Sequence, residues 1–178
     1  MTGPFRFYVR VRYGECDAQK VVFNSRYAEY VDVGVNEFLR AAGVLDQFVY
    51  GHLDFQLVKQ TVEWKAPARF DQVLELSIAA KHLGNTSFTL TTEFRVVREA
   101  GTSGVPEMPG MAGIPGINAD SDRAIVTVET VYVLVDAQTL SKLPLPENIR
   151  AALADGARDK ATDHAACHTI NAAAVEGA

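Results

Sequence analysis

Cysteine is almost missing from this chain: Cys16 and Cys167 are the only two among 178 residues. Two thiols cannot cross-link a disulfide scaffold, and their scarcity fits a reducing compartment. Long apolar runs are missing as well. No stretch approaches the ~18 apolar residues that a membrane span requires, and the opening Met1-Thr2-Gly3-Pro4-Phe5-Arg6 has no apolar run of signal-peptide type. Positive charge is not in excess either, since 17 Lys+Arg stand against 22 Asp+Glu, for a net charge of -5. With a pI near 5.3, that balance disfavours sequence-independent nucleic-acid binding, which depends on many basic contacts to phosphates. A soluble cytoplasmic protein is the expectation. At 48% hydrophobic residues, the chain is long enough to bury a real core in one domain.

What is present is strongly patterned. Phe5, Phe7, Val9, Val11 and Tyr13 alternate with Arg6, Tyr8, Arg10 and Arg12, which predicts a strand with one buried face. From Tyr27 the period lengthens: Tyr27, Val31, Val35, Phe38, Leu39 and Ala42 share one side, with Glu29, Asp32, Asn36, Glu37 and Arg40 opposite. This is an amphipathic helix of about four turns that Gly43 is placed to end. Gly34 inside it costs roughly 1 kcal/mol against Ala, and a close approach to a sheet is the simplest reason for it. Strand patterns follow at 55–65, 74–81 and 88–96, the last two joined by a turn at Gly84-Asn85. Residues 124–135 are nearly all β-formers, which predicts a central strand covered on both faces. One early helix and about five antiparallel strands make an α+β domain over residues 1–150. The Gly/Pro-rich 99–122 reads as an insertion, a short helix is expected near Glu147–Leu153, and the Ala-rich 151–178 reads as a C-terminal tail.

The link between the first strand and the helix carries the chemistry. The segment from Arg12 to Tyr27 ends at a helix N-terminus, where backbone N–H groups lack partners and carry partial positive charge. Such a group polarises a carbonyl and holds an oxyanion more strongly still. Asp17, ten residues before Tyr27, supplies a carboxylate for the same carbon. Acyl transfer from an activated ester suits that combination. Taken alone, Asp17 also reads as a turn-forming residue, and Glu15 as a structural partner of an arginine. Cys16 is an unpromising nucleophile, because its acidic neighbour raises a thiol pKa.

Three blocks in order resemble the hotdog-fold thioesterases of the 4-hydroxybenzoyl-CoA thioesterase and Tol-Pal-associated type. They are Arg12-Tyr13-x-Glu15-x-Asp17 with Val21-Val22-Phe23-x-x-x-Tyr27, the run Thr61 to Gln72, and Val133-Leu134-Val135-Asp136 with Leu145-Pro146. The resemblance covers residues 5–98 and 123–150. It implies a sheet wrapped around one long helix, paired edge to edge as a homodimer or homotetramer. It also implies an acyl-CoA or acyl-carrier-protein thioester as substrate, with neither metal nor other cofactor. On this reading Asp17 is nucleophile or general base and the main-chain N–H of Asn24 binds the carbonyl. Val22, Phe23, Tyr27 and Arg69 contact the substrate. Three departures stand out: Lys20 occupies a usual glycine position, Asn24 replaces a common His or Tyr, and Gly84-Asn85-Thr86 lacks the cations that relatives offer coenzyme A phosphates. Lys20, Lys65, Arg69 and Lys81 are the candidates to compensate.

Other groups read as structural or solvated. Glu63 sits opposite Val62 and Trp64 on its strand, and His52 and His82 are isolated. His164 and His168, with Asp163 and Cys167, have metal-ligand spacing on a helix, but in an Ala-rich terminal segment they read as a solvated tail. A non-catalytic hotdog dimer that binds an acyl ligand is the alternative of another class.

Overall fold

A computed structural model describes residues 4–97 and 123–164. Strand β1 (Phe5–Arg10) leads through a single 3-10 turn at Tyr13–Glu15 to helix α1 (Arg26–Ala41) and the short α2 (Leu45–Val49). Then come β2 (Leu53–Trp64), β3 (Val73–Leu83), β4 (Ser87–Val97), β5 (Val126–Asp136), α3 (Glu147–Asp155) and β6 (Ala161–Asp163). The strands form one sheet in the order β2-β5-β4-β3-β1-β6. All neighbours are antiparallel except β1 and β6, which run parallel. This is the expected α+β architecture.

Helix α1 packs on the sheet through Tyr27, Tyr30, Val31, Val35, Phe38 and Leu39, all buried. Burial of each such side chain stabilises the fold by roughly 1.5–3 kcal/mol. Gly34 lies where the helix comes nearest: a Cβ there would stand 2.9 Å from Ile78 Cδ1 and 3.4 Å from Leu76 and Phe7 carbons. The sheet approach expected of this glycine is present. Gly43 ends the helix at φ +76°, a left-handed conformation that glycine adopts without strain. The β3–β4 turn falls at 84–86, with the Gly84 N–H donating to Ser87 O at 2.8 Å.

Four expectations need correction. Tyr13 is not on the buried face of the first strand; the strand stops at Arg10, and Tyr13 enters the 3-10 turn 84% exposed. Strand β5 is not covered on both faces. Val126, Val128, Thr130, Tyr132 and Leu134 are buried, while Thr127, Glu129, Val131 and Val133 between them are only partly so. Its run of β-formers reflects two strand neighbours rather than two packed faces. A boundary at residue 150 would cut α3, whose Ile149 and Leu153 are both fully buried. Finally, residues 161–163 are a sixth strand on β1 rather than part of a tail. The insertion at 99–122 and the Cys167 and His168 of the metal-spaced group lie outside the described residues.

Candidate active site

The segment between β1 and α1 doubles back on itself. Cys16 and Val22 pair as an antiparallel bridge. The Asp17 N–H donates to Val21 O at 2.9 Å, and the Phe23 N–H to Glu15 O at 3.0 Å. At the tip, the Lys20 N–H donates to Asp17 O at 2.9 Å, and Lys20 takes φ +63°. That left-handed conformation costs a side-chain-bearing residue about 1–2 kcal/mol, a strain that glycine would avoid. The turn forms with lysine all the same.

The loop is clamped from both sides. On one side the Val22 N–H donates to Ala68 O at 2.9 Å, and Val21 bridges Arg69. The Ala68 N–H in turn donates to the buried Tyr27 hydroxyl at 3.3 Å. On the other side Glu15 Oε2 accepts from the Arg12 N–H and from the Tyr30 hydroxyl, each at 2.6 Å. Tyr30 is 5% exposed, and burial, reinforced by the Glu15 carboxylate, pushes its phenol well above the ordinary value. Glu15 is therefore the bolt between the loop and α1. The expected arginine partner is present only through its main chain, at Arg12. The side-chain partner Tyr30 was not legible in the sequence, since a tyrosine on a helix core face gives no sign of where its hydroxyl reaches.

Asp17 forms the turn that its residue type suggested. Its Oδ1 accepts from the Gln19 N–H at 2.8 Å and the Val21 N–H at 3.4 Å, which holds the carboxylate as an Asx turn. Oδ2 accepts no hydrogen bond among the described residues, so one oxygen fixes the group and the other is available. Cys16 packs against the core, and its thiol is pushed up by burial and by the Glu15 and Asp17 carboxylates. It is a poor nucleophile.

Five residues beyond the tip, α1 begins without a side-chain cap on Ser25. Among the described residues the N–H groups of Asn24 and Ser25 have no acceptor, while that of Arg26 turns back to Phe23 O at 2.9 Å. Asn24 is exposed and Phe23 is 53% exposed. Of the other residues expected at the substrate, Arg69 is half-buried beside the loop, whereas Val22 and Tyr27 are 3% and 2% exposed. Phe23 and Arg69 thus keep solvent-accessible surface, and Val22 and Tyr27 support the loop from beneath. The described residues contain no His/Cys/Asp/Glu cluster able to hold a metal ion, and none of their helices is long and apolar enough to cross a membrane.

Residues 11–153 match the family described as the thioesterase-like superfamily. The chain belongs to that superfamily. Among curated relatives of this membership, the acyl-CoA thioester hydrolase YbgC of Escherichia coli is 34% identical over 91 residues, 51% of this chain and 68% of that protein. Two solved structures show the same fold. The gentisyl-coenzyme A thioesterase BH1999 superposes with a TM-score of 0.64 at 21% identity, covering 83% of this chain and 98% of that one. Slr0204, a 1,4-dihydroxy-2-naphthoyl-CoA thioesterase from Synechocystis, gives 0.66 at 17% identity, covering 86% and 97%. The superfamily match spans the loop, α1 and the 68–72 segment that clamps it.

Proposed function

We propose that this chain hydrolyses an acyl-CoA thioester to a carboxylic acid and free coenzyme A, with Asp17 as nucleophile or general base. The observation that carries the reading is an anchored carboxylate with one unengaged oxygen in the same loop as two unpartnered amides. The amides of Asn24 and Ser25 polarise the thioester carbonyl and hold the oxyanion as attack proceeds. Asp17 Oδ2 either attacks that carbon, releasing the thiolate and leaving a mixed anhydride for water to open, or takes a proton from an attacking water. A thioester suits so weak a base, because sulfur donates poorly into the carbonyl and leaves readily. Phe23 and Arg69 flank the substrate, and Val22 and Tyr27 hold the loop in place. Superfamily membership and the name carried by YbgC support the reaction class, and a coenzyme A substrate agrees with a cytoplasmic setting.

The outer edge of the sheet supports a reading of the assembly. Strand β2 pairs with β5 on one side only, and it exposes Leu57, Val58 and Trp64 at 48%, 57% and 50%. We take a second copy to cover this edge, which gives the dimer expected of a hotdog pair.

Thiol release from a panel of acyl-CoAs tests the reaction. Asp17→Asn keeps the Asx turn and removes the charge; the expected loss in kcat is about 100-fold or more. Full activity in that variant would exclude Asp17 from the mechanism. An uncleaved panel in which one thioester still raises the melting temperature would instead support the acyl-binding alternative.

A further inference from the structure

We propose that Arg12-Tyr13, Lys20 and Arg69-Phe70 form a platform for the adenosine phosphate end of coenzyme A. The inference rests on the thioesterase reading and names how the carrier is recognised. It starts from the hairpin at Gly84-Asn85-Thr86, which has no cation of its own. Arg150 does reach this turn, but its guanidinium donates to Leu83 O at 3.1 Å and Gly84 O at 2.7 Å and so is committed to holding the turn. Of the four cations able to compensate, Lys81 is paired with Glu129 and Lys65 donates to Thr127 Oγ1 at 3.0 Å. Lys20 and Arg69 remain. Their side chains meet no acceptor among the described residues, and the bridge between Val21 and Arg69 brings their backbones together. Arg12, whose main chain is bolted to Glu15, likewise has no acceptor for its guanidinium.

Two exposed aromatic side chains adjoin two of these cations in the chain. Tyr13 and Phe70 meet edge to face, with centroids 6.0 Å apart and an interplanar angle of 86°. Both remain in solvent, at 84% and 54% exposed. Each directly follows an arginine whose guanidinium meets no acceptor among the described residues, and the two segments are joined by the Asp71 N–H to Val11 O bond at 3.0 Å. A purine has faces to stack on such a pair, and its phosphates are matched by guanidinium and ammonium donors. Glu15, Asp17 and Asp71 lie in the same segments, but Glu15 is taken up by the Arg12 N–H and the Tyr30 hydroxyl and Asp71 by Arg10, so among the described residues the three cations keep no acidic partner. The strained backbone of Lys20 fits this as well, since a position better suited to glycine keeps a lysine whose ammonium has an anion to meet.

Titrating adenosine 3′,5′-bisphosphate into the full chain by calorimetry tests the platform without turnover. Saturable binding is expected that weakens as salt rises. Loss of two charge-assisted contacts in Lys20→Gln/Arg69→Gln, or of the stacking ring in Tyr13→Ser, should weaken it by about tenfold or more. With substrates, the ratio of kcat/KM for an acyl-CoA over the matching acyl-pantetheine should fall by a similar factor in the double variant, through KM. Melting curves monitor folding, and Phe70→Ser provides a second ring variant. No nucleotide binding by the wild type, or equal binding by the folded variants, would overturn the platform. Hydrolysis of acyl-CoA and acyl-pantetheine with equal efficiency would also overturn it, while leaving the thioesterase reading in place. Nucleotide binding without hydrolysis of any thioester would count against that reading alone.

Discussion

Lys20 holds a backbone conformation that strains any residue with a Cβ, and it does so at the tip of the loop that positions Asp17. Lys20→Gly relieves about 1–2 kcal/mol of strain and gives back roughly 0.5–1 kcal/mol in unfolded-chain entropy. A net stabilisation of about 0.5 kcal/mol is expected in denaturant titration. The same variant should bind adenosine 3′,5′-bisphosphate less well, so stability and recognition would move in opposite directions. Tyr30 provides a second test. Its phenol is raised by burial first and by the Glu15 carboxylate second, and burial raises those of Tyr132 and Tyr27 as well. The folded state therefore holds these protons more tightly than the unfolded chain does. The stability this confers is complete below about pH 10, the ordinary phenol value, and is lost progressively as pH rises above it. Denaturant midpoints at pH 8 and pH 11 should show that loss, with a shallower dependence in Tyr30→Phe. That variant should also lose about 1–3 kcal/mol at pH 8, because the carboxylate of Glu15 gives up its shortest side-chain partner. At this scale the motif singled out Asp17 and Glu15, and the structure shows the turn that one forms and the bolt that the other makes. The Tyr30 hydroxyl and the Tyr13–Phe70 contact stayed hidden, because each depends on where two separate segments meet.

At the scale of elements, the change of period from two to 3.6 between Tyr13 and Tyr27 was enough to separate β1 from α1. Gly34 marked the face that meets the sheet. Gly34→Val would drive two methyl groups toward the buried Ile78, Leu76 and Phe7, which have no solvent to move into. A destabilisation of about 1–3 kcal/mol is expected from overpacking alone, read as a lower melting temperature. Gly34→Ala should come out near neutral, its gain in helix propensity offset by the 2.9 Å approach to Ile78 Cδ1. Two elements resisted sequence reasoning for a physical reason. Strand β6 has three residues, too few for alternation to register, and its pairing is a parallel one to a strand about 155 residues earlier. Strand β5 misled through Val131 and Val133, which are strand formers whether or not their face is covered.

For the whole molecule, the proposed dimer rests on the outer side of β2, which has no strand neighbour among the described residues. A mass of about twice the 19.4 kDa chain is expected in sedimentation equilibrium, with a melting temperature that rises with protein concentration. Replacing Val58 and Leu57 with glutamate should shift the species toward the single-chain mass and lower that temperature. A wild type that sediments as one chain at all concentrations would remove the dimer.

The short strand β6 has a bearing on this out of proportion to its length. A sheet with both margins bare offers an attachment point at each end, and copies joined in that way can extend into a ribbon without limit. By lying along Arg6–Tyr8, β6 occupies the outer margin of β1, and among the described residues β2 is then the one long strand with a bare side. In the proposed dimer, growth then halts after one addition. Deleting residues 159–164 would reopen the second margin, and the resulting protein should form polydisperse, scattering particles where the intact chain stays discrete.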